Sequence, residues 1–116
     1  PTAGIGYGTG AGGTVTQITS KATGVTLATV CGAITLNNAA LAAGATVTFT
    51  VTNTAVIAAT DVVIANHSSA GTAGAYIVEV NGIGAATFNI SVTNHTAGSL
   101  SEAIVITFAV IRAVTA

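Results

Sequence analysis

Thr46-Val47-Thr48-Phe49-Thr50-Val51-Thr52 alternates without a break, setting Val47, Phe49 and Val51 on one face and four threonines on the other. A strict period of two marks a half-buried β-strand, because successive side chains leave opposite faces of the pleat. Phe88-Asn89-Ile90-Ser91-Val92-Thr93 repeats the pattern, with Phe88, Ile90 and Val92 inward. Both segments run into asparagine, as Thr52-Asn53 and Thr93-Asn94. Asparagine tolerates left-handed backbone and bonds its own main chain, so each strand is expected to end in a turn. The echo suggests symmetric positions in two sheets.

Working outward, further strands are expected at Val15 to Ile18, Gly24 to Leu27, Ala33 to Leu36, Asp61 to Ala65, Tyr76 to Val80 and Ala103 to Ile111. Spaced by about 10 to 15 residues with Gly, Asn and Ser between, they read as an all-β fold, an antiparallel β-sandwich or jelly-roll-like single domain. Asn81-Gly82 is expected to turn a hairpin, since a type I′ turn needs positive φ at both central residues. The one helix-like stretch is Asn37 to Ala45, which Gly44 would end. Ahead of the domain, read as residues 14–116, lies a glycine-rich N-terminal arm over residues 1–13. It holds six glycines between Gly4 and Gly13, with Ile5 and Tyr7 its only large side chains.

The last strand presents Ile104, Ile106, Phe108 and Val110 on one face, yet Val105 and Ile111 on the other. A strand apolar on both faces is either central in the sandwich or covered on its outer side by another chain. The second is the expectation here.

Charge is nearly absent. Lys21, Arg112, Asp61, Glu79 and Glu102 are the charged residues of 116, about 4%, and the net charge is -1. An ordinary soluble domain carries about 25%. Such a surface has little to keep copies apart, which points to a building block packed against itself or another protein. Two basic residues at opposite ends of the chain make no phosphate-binding patch, so nucleic acid is not expected as a partner. No run approaches the roughly 18 apolar residues of a membrane helix, and no signal peptide is legible. The single Cys31 excludes an internal disulfide framework and reads as a buried, inert thiol.

Little in the chain could carry catalysis. Gly8-Thr9-Gly10-Ala11-Gly12-Gly13 matches the dinucleotide-binding pattern of glycines, but it lacks the preceding strand and following helix that the pattern needs. His67 and His95 sit in the related tripeptides Asn66-His67-Ser68 and Asn94-His95-Thr96, near expected strand ends. With Asp61 or Glu102 they could in principle hold a metal, but no spacing gathers three ligands, and surface loops are the expected setting. A weaker possibility is pH sensing at an interface. Asn66, Asn89 and Asn94 begin glycosylation sequons, which matter only for a chain in a eukaryotic secretory pathway. Neither a paired acid and base nor an activated nucleophile can be assembled from this inventory, so no enzyme, cofactor or metal is expected.

Three runs, GYGTGAGGTVTQITSKATGVTL (Gly6 to Leu27), CGAITLNNAALAAGATVTFTVTN (Cys31 to Asn53) and AIVITFAV (Ala103 to Val110), resemble small structural proteins and domains of tailed-bacteriophage virions. Head decoration proteins and modules of head or tail fibres are among these. The resemblance implies a β-sandwich or jelly roll, often trimeric, that sits on the capsid or at a fibre's end, in a virion assembled in the host bacterial cytoplasm. On this reading the chain is a capsid-attached decoration, cement or head-fibre protein, and Ile5, Tyr7, Val105, Phe108 and Ile111 are the expected subunit interface. Two other readings remain: a receptor-binding or spacer module of a tail fibre, for which Tyr76 is the only aromatic glycan platform in the body of the domain, and a bacterial surface module of immunoglobulin-like type.

Overall fold

The computed structural model describes residues 6–56 and 58–114, which form eight strands and no helix. These are β1 (Gly12–Thr16), β2 (Val25–Thr26), β3 (Cys31–Thr35), β4 (Thr46–Thr52), β5 (Val62–Ser69), β6 (Tyr76–Gly84), β7 (Thr87–Asn94) and β8 (Val105–Ile111). They build two four-stranded sheets, ordered β1-β3-β8-β5 and β2-β4-β7-β6. The all-β, single-domain architecture read in the sequence is the one the chain adopts.

The sheets are mixed, however. β1 runs parallel to β3, and β2 parallel to β4, while the remaining pairs are antiparallel. Apart from the β6–β7 hairpin, each strand is followed by one in the opposite sheet. Two strands of one sheet with a strand of the other between them meet in parallel, a consequence of connectivity that side-chain periodicity does not encode.

Between the sheets lies a core of alternate side chains. Ile34 on β3, Phe49 and Val51 on β4, Phe88, Ile90 and Val92 on β7, and Ile106, Phe108 and Val110 on β8 are all buried, with Ile104 just ahead of β8. Phe88 and Phe108 meet across the gap with ring centroids 5.7 Å apart. The echoing segments are neighbours in one sheet rather than counterparts in two: β4 and β7 pair antiparallel, with Phe49 opposite Ile90 and Val51 opposite Phe88. Their terminal asparagines do act alike. Asn53 Oδ1 accepts the Ala55 N–H at 2.8 Å and Asn94 Oδ1 the Thr96 N–H at 3.0 Å, and both residues are fully buried.

Two local expectations are corrected. Asn81-Gly82 lies inside β6, because the pairing of Gly84 with Thr87 carries the ladder past it; a register shift between Asn81 and Gly84 absorbs the irregularity. Gly82 has φ +61°, and a Cβ there would fall 2.6 Å from Asn89 Nδ2. The reversal comes at Ala85-Ala86, with Ala86 at φ 64°. Asn37 to Ala45 forms no helix: Asn37 Oδ1 accepts the Ala39 N–H, and Leu41 is buried in an isolated bridge with Leu100, closed by main-chain bonds of 2.8 and 3.1 Å. Burial of Leu41 and those two bonds outweigh the weak preference of the alanines for a helix.

Two stability measurements follow from this packing. Phe108→Ala should cost about 3–5 kcal/mol in denaturant unfolding, because the ring is buried on every side and the cavity closes poorly. Ala86→Gly should add about 1 kcal/mol, since left-handed backbone costs an alanine about 1–2 kcal/mol and the unfolded freedom of glycine returns part of that.

Candidate functional site

The outward faces of the two sheets differ in kind. On the β2-β4-β7-β6 sheet, the threonines of β4 stand opposite polar residues of β7. Thr46 and Thr93 share a hydroxyl bond of 2.7 Å, Thr48 and Ser91 one of 2.8 Å, and Thr50 donates to Asn89 Oδ1 at 2.9 Å. Cross-strand pairs of this type contribute about 0.2–1 kcal/mol each. Along β4 and β7 this face is finished in polar pairs, with Ile77 on the β6 edge, opposite Thr93, 54% exposed beside them.

The β1-β3-β8-β5 sheet is not. Its outward positions on β8 are Val105, Thr107, Ala109 and Ile111, joined by Val62, Ile64 and Asn66 of β5 and Cys31 of β3 through the observed register. Across one end of this face lies Tyr7, whose hydroxyl donates to the Val110 carbonyl. Together Tyr7, Cys31, Ile64, Thr107, Ala109 and Ile111 line an open groove of about 570 Å³. Tyr7, Val62, Ile64 and Ile111 are 49%, 44%, 48% and 47% exposed. Contiguous apolar surface of this sort makes this face the candidate contact site.

Of the expected interface residues, the structure places Tyr7 and Ile111 on this face. Val105 is half-buried at its far end, beside Ser69 and Thr35 in the register. Phe108 is corrected: it alternates inward and is 1% exposed, so its ring serves the core. Ile5 lies outside the described residues. Val62 and Ile64 were missed, although their alternation with Val63 could have shown them outward once β5 was known to be a sheet edge. Cys31 is half-buried on the groove wall rather than enclosed in the core. As for β8, it is central in its sheet, and its outer side is nonetheless bare in the single chain.

The polar residues gather elsewhere, around the β5–β6 connection. Glu102 Oε1 accepts the Tyr76 hydroxyl at 2.7 Å and the Thr72 N–H at 3.0 Å, and its Oε2 accepts the Thr72 hydroxyl at 2.9 Å. The Tyr76 bond, followed by those from Thr72, holds the Glu102 carboxyl below its ordinary value. Burial, reinforced by Glu102, pushes the Tyr76 hydroxyl up. His67 packs edge-on to Tyr76, centroids 5.5 Å apart, with Nε2 2.6 Å from the Ala70 carbonyl; His95 Nε2 lies 2.6 Å from the Gly74 carbonyl. Gly71, at φ +72°, cannot be replaced freely, since a Cβ would meet Ile104 at 2.7 Å and Glu102 at 3.0 Å. Lys21 is buried, its ammonium donating to the carbonyls of Asn37 and Glu102, and burial lowers its pKa. These groups tie loops together; their donors and acceptors are turned onto the chain itself.

Among the described residues no three His, Cys, Asp or Glu side chains are grouped to hold a metal ion, and no helix is long and apolar enough to cross a membrane. The glycine run leads straight into β1, which begins at Gly12, two residues inside the stretch read as the arm. Comparison with protein-family models, curated proteins and solved structures finds no match to this chain.

The carboxylate clamp makes a pH prediction. Glu102 has a folded-state pKa below its ordinary 4.5, so it contributes stability that is fully present above that value and lost as pH falls through the lower folded one. Thermal unfolding between pH 7 and pH 3 should therefore show a fall in melting temperature, starting near pH 4.5, that is smaller in Glu102→Gln. An identical pH profile in that variant would contradict the role given to the clamp.

Proposed function

We propose that this chain is a non-enzymatic structural protein that works packed against other protein, as a capsid-attached decoration, cement or head-fibre subunit of a tailed-phage virion. The observation that carries the reading is the bare apolar face over β8 and β5 on a chain with so few charges. The structure deepens the charge argument, because most of the charged groups are withdrawn into internal bonds. Lys21 is buried, Asp61 is buried with Oδ1 3.1 Å from Arg112 Nε, and Glu102 is engaged by Thr72 and Tyr76. Glu79, the head of Arg112 and the half-exposed Glu102 carboxylate are what the surface retains.

A decoration protein acts by linkage. It binds the assembled lattice and not the free shell subunit, so its binding energy adds to the shell's resistance to rupture. Copies that associate with one another, as trimers on the resemblance's pattern, multiply weak single contacts through effective concentration. The tail-fibre reading is weakened by the aromatic residues: Tyr76, Phe49, Phe88 and Phe108 are all buried, leaving the body of the domain without a ring face to stack on a sugar.

Light scattering over a dilution series should give a mass above that of one chain, and the protein should cosediment with filled heads of the phage that encodes it but not with free shell subunits. Ile111→Asp should weaken both associations by about tenfold or more while leaving the unfolding midpoint nearly unchanged, because its side chain is about half exposed and a residue central to an interface is worth about 2 kcal/mol or more. Tyr7→Asp should weaken both associations as well and also lower the midpoint, since it removes the bond to the Val110 carbonyl. A single-chain mass at every concentration, together with no binding to heads, would overturn the proposal.

A further inference from the structure

The two sheets have four edge strands between them, and three carry features that discourage pairing with another chain. β2 is two residues long. β1 is five residues and opens with Gly12-Gly13, which pin register weakly. β6 carries Glu79 and a register break between Asn81 and Gly84. Shortness, charge and irregularity are the means by which proteins blunt an edge.

β5 lacks them over most of its length. From Val62 to His67 it follows β8 residue by residue, and the shift comes only between His67 and Ser69. Val62–Ser69 contains no Lys, Arg, Asp, Glu or Pro. Its outward side chains at the free end, Val62 and Ile64, are the apolar ones exposed beside the groove, opposite Ile111 and Ala109 of β8. An edge that is long, in register, uncharged and apolar is a template for strand addition.

From this we infer that β5 is a pairing edge, and that a second copy of this chain adds a strand to it, extending the β1-β3-β8-β5 sheet across the subunit boundary. The inference rests on the reading that copies of the chain pack together, and it names where. Charge selects the occupant: a segment with no charges meets its own copy without like-charge opposition but offers nothing to a charged peptide. The nearest charges, Asp61 and Arg112, already face each other at 3.1 Å. Continuity supports it too, since an added strand would lie alongside the apolar face. Six paired residues span about 20 Å, and contact across Ile111 and Tyr7 extends the buried area toward the roughly 800 Å² per partner of a stable interface.

The test is amide hydrogen exchange of the full chain, read residue by residue at low and high protein concentration. Pairing should slow exchange within Val62–His67 by at least about tenfold as concentration rises, by mass action on an otherwise open edge. Ile64→Lys should abolish that protection and the added mass without changing the unfolding midpoint, whereas Ile77→Lys on the β6 edge should change neither. A dimer in which β5 is protected supports the inference, β5 meeting β5 across a two-fold axis, whereas a closed ring in which β1, β2 or β6 is protected overturns it, because pairing would then run through an edge that the fold blunts. Assembly that leaves β5 exchange independent of concentration overturns the edge inference while the structural role stands. Protection of β5 without any binding to heads upholds the edge and removes the capsid.

Discussion

Everything in this molecule hangs on burying every second side chain between two sheets with very little material to do it. The chain has three phenylalanines and no tryptophan or methionine. Phe49, Phe88 and Phe108 are all in the gap, and Val, Ile and Leu fill the remainder. Apolar burial at roughly 25 cal/mol per Å² must come almost wholly from these residues, because the alanines and threonines around them contribute little area. Strand alternation is therefore enforced tightly. A one-residue slip of β4 against β7 would send Phe49 and Val51 outward and four threonines into the core.

That enforcement explains what could be read from residues alone. All eight strands were legible, because each inward residue had to be apolar and its neighbours did not. Missing were the parallel pairings of β1 with β3 and of β2 with β4, which depend on which sheet each strand joins, and side-chain period is silent on that. Local turn chemistry also misled: Asn81-Gly82 has the composition of a hairpin turn, yet pairing of Gly84 with Thr87 moved the reversal to two alanines. At the candidate site, Tyr7 and Ile111 were legible as large apolar residues where a lone domain should be polar. Phe108 was misassigned because it follows the inward period of Ile104 and Ile106 rather than the outward one of Ile111. Val62 and Ile64 were hidden, since only the sheet order makes β5 an edge.

The clustering of ionisable groups around the β5–β6 connection has a structural logic of its own. His67, His95 and Glu102 each bond main-chain or side-chain groups of the segment between β5 and β6, and Ala70, Gly71 and Gly74 all take positive φ there. A connection bent this sharply leaves main-chain groups without ladder partners, and buried or half-buried groups of that kind require bonds from somewhere. The few titratable side chains supply them.

The contrast between the two outer faces then separates what the fold requires from what it does not. Threonine is close to valine in shape and in its preference for strands. The chain places it on four successive outward positions of β4, where the hydroxyls bond across to β7. The same choice is not made at Val62, Ile64 and Ile111, which stand on the outward face of their own sheet, about half exposed. About half of each side chain is removed from water in the single chain and contributes there, and the other half stays exposed. The exposed half is what the proposed packing between copies would remove from water.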